Sequence, residues 1–208
     1  GYAGICGADN LAPHSIAYFH TRSFDEIQNF VGGTANSCAA KTATGNTPPT
    51  LEAGINYTIP ISTPFILTGT ANDINGDAMT YSWEEFDLGT AGAPGDSKQT
   101  TAPLFRPFSP QTVPYRVFPQ ITDIINAKTT IGEVLPSVSR TLNFRFTVRD
   151  NRSGGGGVAY DIMKVATSAS AGPFQVTISA TPATWIPGQT QSITWNVANT
   201  NTTPINCS

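Results

Sequence analysis

Arg140-Thr141-Leu142-Asn143-Phe144-Arg145-Phe146-Thr147-Val148 alternates apolar and polar side chains from Leu142 to its end. Successive side chains of a strand point to opposite faces, so Leu142, Phe144, Phe146 and Val148 share one face while Asn143, Arg145 and Thr147 share the other. This predicts a strand with one side buried and the other wet. Phe65 to Gly69, Met79 to Glu84 and Ala159 to Val165 carry the same β-branched and aromatic enrichment. Separated by Gly, Pro, Asn and Asp, these runs predict a mainly β chain built as an antiparallel sandwich. Trp83, with Tyr81 and Glu85 on its own pleat face, is placed on an inner strand as a core aromatic. Glu84, Glu85 and Asp87 form a local acidic cluster, but neighbours on a strand face opposite ways, so Glu84 and Glu85 cannot flank one glycosidic bond. The cluster reads as a solvated face.

Outward from this centre the chain changes character. The stretch from about 87 to 139 holds Pro103, Pro107, Pro110, Pro114 and Pro119, and proline cannot donate to a ladder, so an elaborated connection is expected with one helical turn near Pro119 to Ile125. Ser153 followed by four glycines predicts a flexible hairpin loop rather than a phosphate cradle, because no Lys-Ser/Thr pair and no helix follows. Residues 39–50, AAKTATGNTPPT, read as a linker. A further boundary falls near Ala169 to Pro173. Beyond it, Phe174 to Ile178 and Gln191 to Val197 look like the first strands of another module, too few to close a sandwich alone. The expected units are 1–45, 46–170 and 171–208.

At the amino-terminal end, Ser23-Phe24-Asp25-Glu26 matches a capping box, and Phe24, Ile27, Phe30 and Val31 recur at helical spacing before Gly32-Gly33. A helix over 23–31 follows, with an apolar face that nothing else in 1–45 covers except the loop before it, which predicts a missing partner. The three cysteines are Cys6, Cys38 and Cys207. Cys6 and Cys38 flank the helix, and a bridge between them would contribute about 3–4 kcal/mol in an oxidising compartment. The alternative is two buried thiols packing as small apolar groups. Cys207 is left over, and its partner is expected downstream.

Charged residues are 12% of the 208 against 39% hydrophobic, with 19 Gly and 16 Pro, a balance that suits a β-rich, loop-rich extracellular protein. A net charge of −3 argues against nucleic acid as a partner, and no apolar run approaches the roughly 20 residues of a membrane span.

Gly1-Tyr2-Ala3-Gly4-Ile5-Cys6-Gly7, then Asn10-Leu11-Ala12-Pro13-His14-Ser15 and Tyr18-Phe19-His20, resembles the segment just after the Met-turn of secreted bacterial reprolysin-like zinc metallopeptidases, a metzincin family. The zinc-binding pattern H-E-x-x-H-x-x-G-x-x-H of that family occurs nowhere in the chain. His14 and His20, the only histidines, match no ligand position of the family and read as hydrogen-bonded structural groups. Pro60 to Phe65, Asp73 to Glu84 and Asn143 to Asn151 are similar to the immunoglobulin-like, PKD-like or cadherin-like modules that follow the catalytic domain in these proteins. The resemblance implies a short helix-containing remnant of a catalytic domain ahead of an immunoglobulin-like antiparallel sandwich. It implies zinc in the parent protein only, a missing catalytic domain packed on residues 1–45, no catalytic residue in this chain, and a secreted or cell-surface location. The role implied is that of a spacer, or of a module that binds substrate, a protein surface or a polysaccharide. An adhesin-like surface protein is the alternative, and a carbohydrate-binding module using Trp83, Trp185 or Trp195 is another.

One constellation could hold a cofactor. Asp73-Ile74-Asn75-Gly76-Asp77 sets three oxygen-bearing side chains at alternate positions around a glycine, as short loops do for Ca²⁺. The competing reading is a tight turn that uses Asn, Gly and Asp for their backbone tolerance. Asp150 or Asp161 would be extra ligands if folding brought them near.

Overall fold

The computed structural model describes residues 7, 10–38, 40–90, 94–177 and 184–206. Helix α1 (Thr21–Gly32) leads through a 3₁₀ turn (Thr34–Ser37) to strands β1 (Thr50–Glu52), β2 (Tyr57–Pro60), β3 (Phe65–Thr68), β4 (Thr70–Asn72) and β5 (Thr80–Glu85). Then come β6 (Tyr115–Phe118), helix α2 (Ile121–Ile125), β7 (Arg140–Arg149), β8 (Val158–Ser168), β9 (Gln175–Val176) and β10 (Trp195–Asn196). The fold is mainly β with several sheets.

The largest sheet has the order β2-β8-β7-β5. Strands β7 and β8 form a ten-pair antiparallel ladder, Arg140 opposite Thr167 through Arg149 opposite Val158, and β5 lies antiparallel on the other edge of β7 with Trp83 opposite Phe146. Each strand predicted from the alternation is present, and β7 and β8 run longer than the apolar pattern marks. The expectation of a purely antiparallel array fails at one edge, where β2 joins β8 in parallel from Tyr57 opposite Val165 to Pro60 opposite Ser168. A parallel neighbour needs a long crossover, and the chain between β2 and β8 supplies it.

Leu142, Phe144, Phe146 and Val148 are buried on the face the alternation assigns to the core, joined by Trp83, Met163 and Val165 of the same sheet. Against them pack Leu67 of β3, Phe118 of β6 and Ala53 after β1. The long connection is no peripheral loop, for it sends Leu104 and Phe105 into this core. Aromatic rings fill the centre: Trp83 stacks on Phe146 at 4.8 Å and Phe65 on Phe118 at 5.0 Å, while Phe105 meets Phe118 edge-on at 5.1 Å. Gly69 lies against the Phe146 ring so closely that a Cβ would overlap it.

The second face of β7 is not wet. Thr147 is 0% exposed and Arg145 is buried, because residues 18–25 lie over them. The same contact corrects the helix start. Helix α1 begins at Thr21, with His20 as N-cap accepting from the Ser23 amide through Nδ1, and Ser23 falls inside the first turn. The Thr21 amide, which would otherwise lack an acceptor, donates to Glu84 at 3.0 Å. Glu26 therefore closes no capping box and pairs instead with Arg22 on the surface. The predicted stop holds, Gly33 being the C-cap.

The glycine-rich turn between β7 and β8 is pinned rather than loose. The Gly157 amide donates to both oxygens of Asp150 at 2.8 and 2.9 Å, and a Cβ on Gly157 would come within 2.7 Å of Pro48. The segment read as a linker has no regular structure over 40–49, yet Asn46 donates to Asp150 at 2.6 Å and the Thr47 amide to Asn75 at 2.9 Å. Near the other end, β9 and β10 form a two-residue antiparallel pair, and the Gly172 amide reaches the Ala198 carbonyl at 2.8 Å. Cys6 and Cys207 lie outside the described residues, so the Cys6 to Cys38 pairing does too; Cys38 itself is exposed.

Phe146→Ala is expected to lower the unfolding free energy by about 3–5 kcal/mol in urea titrations. Gly69→Ala is expected to be destabilising in the wild-type background and much less so beside Phe146→Ala, since the ring it strikes is gone.

Candidate functional site

Strand β5 carries two glutamates whose side chains leave by opposite faces, and each is buried. Glu84 accepts from the Tyr18 hydroxyl and the Thr21 amide, both at 3.0 Å. Directly across the ladder, Arg145 donates through Nη1 to the Thr21 hydroxyl and to both oxygens of Asp25, each at 2.9 Å. Its guanidinium lies 3.8 Å from the Phe86 ring centre and 3.9 Å from that of Tyr160. Four residues further along β7 on the same face, Arg149 holds the Phe19 carbonyl at 3.0 Å and the Ser82 hydroxyl at 2.9 Å, with the Phe24 ring 4.8 Å away. Helix α1 is thus moored by its polar side. Burial raises the pKa of Glu84, and burial followed by the neighbouring Glu84 charge raises that of Tyr18.

On the core face, Glu85 accepts from the Leu104 and Phe105 amides at 2.7 and 2.8 Å and lies 3.4 Å from Arg140. Asp87 accepts from the same Arg140 Nη2 at 2.9 Å, while Nη1 donates to the Gln99 and Ala102 carbonyls at 2.8 and 2.9 Å. The expectation of a solvated acidic face is therefore wrong for Glu84, Glu85 and Asp87, because the long connection and residues 18–25 cover both sides of the strand and supply donors. Burial, reinforced by the neighbouring Asp87, pushes Glu85 well above the ordinary carboxylate range. A further buried pair, Arg116 with Glu133 at 2.5 Å, ties β6 to the connection.

The 73–77 loop is a hydrogen-bonded turn. Asp73 Oδ1 accepts from the Asn75 amide at 2.9 Å and the Asp77 amide at 3.0 Å; Asn75 Oδ1 takes the Thr47 amide, and Asp77 faces Arg152 at 3.4 Å. Asp73 Oδ2 is buried with no donor. Asp150 is committed to Asn46, Arg152 and Gly157, and Asp161 to the Ala53 amide. Burial would raise Asp150, but those hydrogen bonds outweigh it and hold the carboxyl below its usual value. Among the described residues no group of three or more His, Cys, Asp or Glu side chains could hold a metal ion.

His20 serves as the helix cap, while His14 is exposed in the loop before it and has no hydrogen-bond partner among the described residues. Trp83 is 3% exposed and donates to the Pro114 carbonyl, which removes it as a stacking platform; Trp185 and Trp195 are 51% and 55% exposed. On α1, Ile27, Phe30 and Val31 are exposed, and so is Phe19 just before it. No described helix is long and apolar enough to cross a membrane. Sequence reasoning did not single out Asp123, Arg145 or Arg149. For the arginines no signal was available, since strand alternation assigns them to water; for Asp123 the signal was a lone acid inside Ile121-Thr122-Asp123-Ile124-Ile125.

No family model, no curated protein and no solved structure matches this chain.

Arg145→Ala leaves Asp25 and Thr21 without their buried donor and is expected to cost about 3–5 kcal/mol. Arg22→Ala breaks only the exposed pair with Glu26 and should cost under about 0.5 kcal/mol. The pH dependence has a definite sign. Glu84 and Glu85 hold their protons in the folded protein at pH values where the unfolded chain has lost them, so stability falls as pH rises from the ordinary value of 4.5 through the raised ones. Asp150 acts oppositely, contributing stability above 3.8 that disappears as pH falls through its lowered value. Denaturant titrations between about pH 5 and about pH 8 should show decreasing stability, and Glu84→Gln should flatten the slope.

Proposed function

We propose that this chain is the non-catalytic part of a secreted zinc metalloendopeptidase of the reprolysin-like metzincin type, working as a spacer or as a module that binds substrate or a surface. The observation that carries the reading is the two-sided helix α1. Its polar side is fixed to the sheet by Glu84 and Arg145, while Ile27, Phe30 and Val31, one turn apart, face outward and exposed. A helix immobilised in this way offers an apolar stripe of set orientation to a neighbouring lobe. In the proposal that lobe is the catalytic domain, residues 1–45 are its closing segment, and the β-rich part is an immunoglobulin-like sandwich. The parent's zinc would activate water for peptide hydrolysis. The sequence here supplies two histidines and no H-E-x-x-H, so the chemistry belongs to that lobe.

Purified residues 1–208 are expected to show no zinc-dependent hydrolysis of casein, and the reading frame ahead of Gly1 is expected to encode H-E-x-x-H-x-x-G-x-x-H. Further β-modules in that place would replace this reading by the adhesin-like one. The exposed indoles of Trp185 and Trp195 favour a second reading, a carbohydrate-binding surface, which predicts fluorescence quenching by soluble polysaccharide that Trp195→Ala reduces.

Calcium at Asp73, Asn75 and Asp77 is proposed on one feature, the donorless Asp73 Oδ2. Arg152 beside Asp77 opposes it. A melting temperature that falls on adding chelator supports the ion, and an unchanged one leaves the turn as the whole role of the loop.

A further inference from the structure

Among the described residues the other buried acids are matched on at least one oxygen, with Asp73 keeping a donorless Oδ2, and Asp123 alone accepts no hydrogen bond through its side chain. Glu84 has a tyrosine and an amide, Glu85 two amides and Arg140, Glu133 has Arg116 and the Gln120 amide, and Asp150 has Asn46 and two amides. Asp123 of α2 is 6% exposed, and neither of its carboxylate oxygens meets a donor among the described residues. A buried carboxylate oxygen without a donor is a costly arrangement, offset in the fold by the place of Asp123 in the first turn of α2.

Asp123 lines an open groove of about 480 Å³, within the range of about 300–1,000 Å³ that holds small ligands. The groove is formed where α2 and the turn after it face the β2–β3 turn and the segment around Leu135. Its apolar walls include Pro64, Pro119, Ile124 and Leu135. Glu133 also borders it, but its oxygens are already engaged by Arg116 and Gln120.

We propose that this groove receives a primary ammonium carried on an aliphatic stem, the lysine side chain of a partner protein or peptide, with Asp123 as the accepting anion. The chemistry selects among ligands. An ammonium supplies both charge and an N–H donor to Asp123 Oδ1, the oxygen that is not fully covered, while the apolar walls cover its methylenes. A divalent cation would need further free oxygen ligands, and the second carboxylate of the groove is taken. A guanidinium requires a fork of two accessible oxygens, whereas Asp123 Oδ2 is fully covered. A sugar ring would call for an aromatic platform, and no aromatic side chain lines the groove. Lys128 lies exposed on the rim and makes no ion pair among the described residues, so it adds a like charge rather than a partner. The inference is independent of the protease reading.

The test is an amide chemical-shift titration of the whole 208-residue chain with Nα-acetyl-lysine methylamide up to about 10 mM. Saturable shifts are expected at residues 62–64, 95–97 and 119–135. The norleucine analogue and the Nε-acetylated form should bind about tenfold more weakly or worse. Asp123→Asn should weaken binding by about tenfold or more without lowering the melting temperature, because it removes an unmatched charge. Lys128→Ala should bind at least as well as wild type. The proposal is overturned by the absence of saturable shifts, by equal binding of the norleucine analogue, or by equal binding of an alanine peptide with a free α-amine. It is also overturned if Asp123→Asn leaves affinity unchanged or lowers the melting temperature, or if Lys128→Ala destabilises the protein as an internal partner of Asp123 would.

Discussion

A strand that is greasy on one side and cationic on the other, yet buried on both, sets the terms for the rest of this protein. On one side of β7, Phe144 and Phe146 are closed over by Trp83, Phe105 and Phe118. On the other, Arg145 and Arg149 can leave water only where anions and carbonyls replace it, because an unmatched buried charge costs several kcal/mol. Asp25 and the carbonyls of Phe19 and Thr21 do this, and all come from the amino-terminal segment. The position of α1 is therefore dictated by charge matching rather than by burial of its apolar stripe.

The inversion of the helix follows from that. An amphipathic helix ordinarily turns its apolar side inward, and α1 does the reverse, docking through Thr21 and Asp25 while Ile27, Phe30 and Val31 stay exposed. Isolated surface apolar residues need no explanation, but three on one helical face, with Phe19 just before them, are the kind of stripe that partners cover. The groove at α2 carries the complementary message, for there a lone acid among apolar side chains is buried and kept unmatched. Both features lie outside the hydrophobic core, and both forgo stability that simple substitutions would supply.

The long proline-rich connection unites these parts. It contributes Leu104 and Phe105 to the core, Arg116 and Glu133 to a buried pair, and α2 to the groove. Its strand β6 pairs antiparallel with β3, Phe65 opposite Phe118 through Thr68 opposite Tyr115, and outside β6 its prolines leave amides and side chains for tertiary contacts such as those from Leu104 and Phe105 to Glu85.

Apolar alternation was enough to define β7, β-branched and aromatic enrichment between turn residues to define β3, β5 and β8 and the inner position of Trp83, and proline and glycine to mark the helical turn at α2 and the end of α1 at Gly33, because these depend on side-chain period and on local backbone preference. Short strands such as β1, β2 and β4 left no periodic trace. The start of α1 at Thr21, the burial of Glu84, Glu85 and Arg145, the parallel seat of β2 and the unmatched state of Asp123 were decided only by tertiary structure. Each rests on a group distant in the chain that gives or withholds a hydrogen bond, and the spacing of neighbouring residues does not encode who that distant partner is.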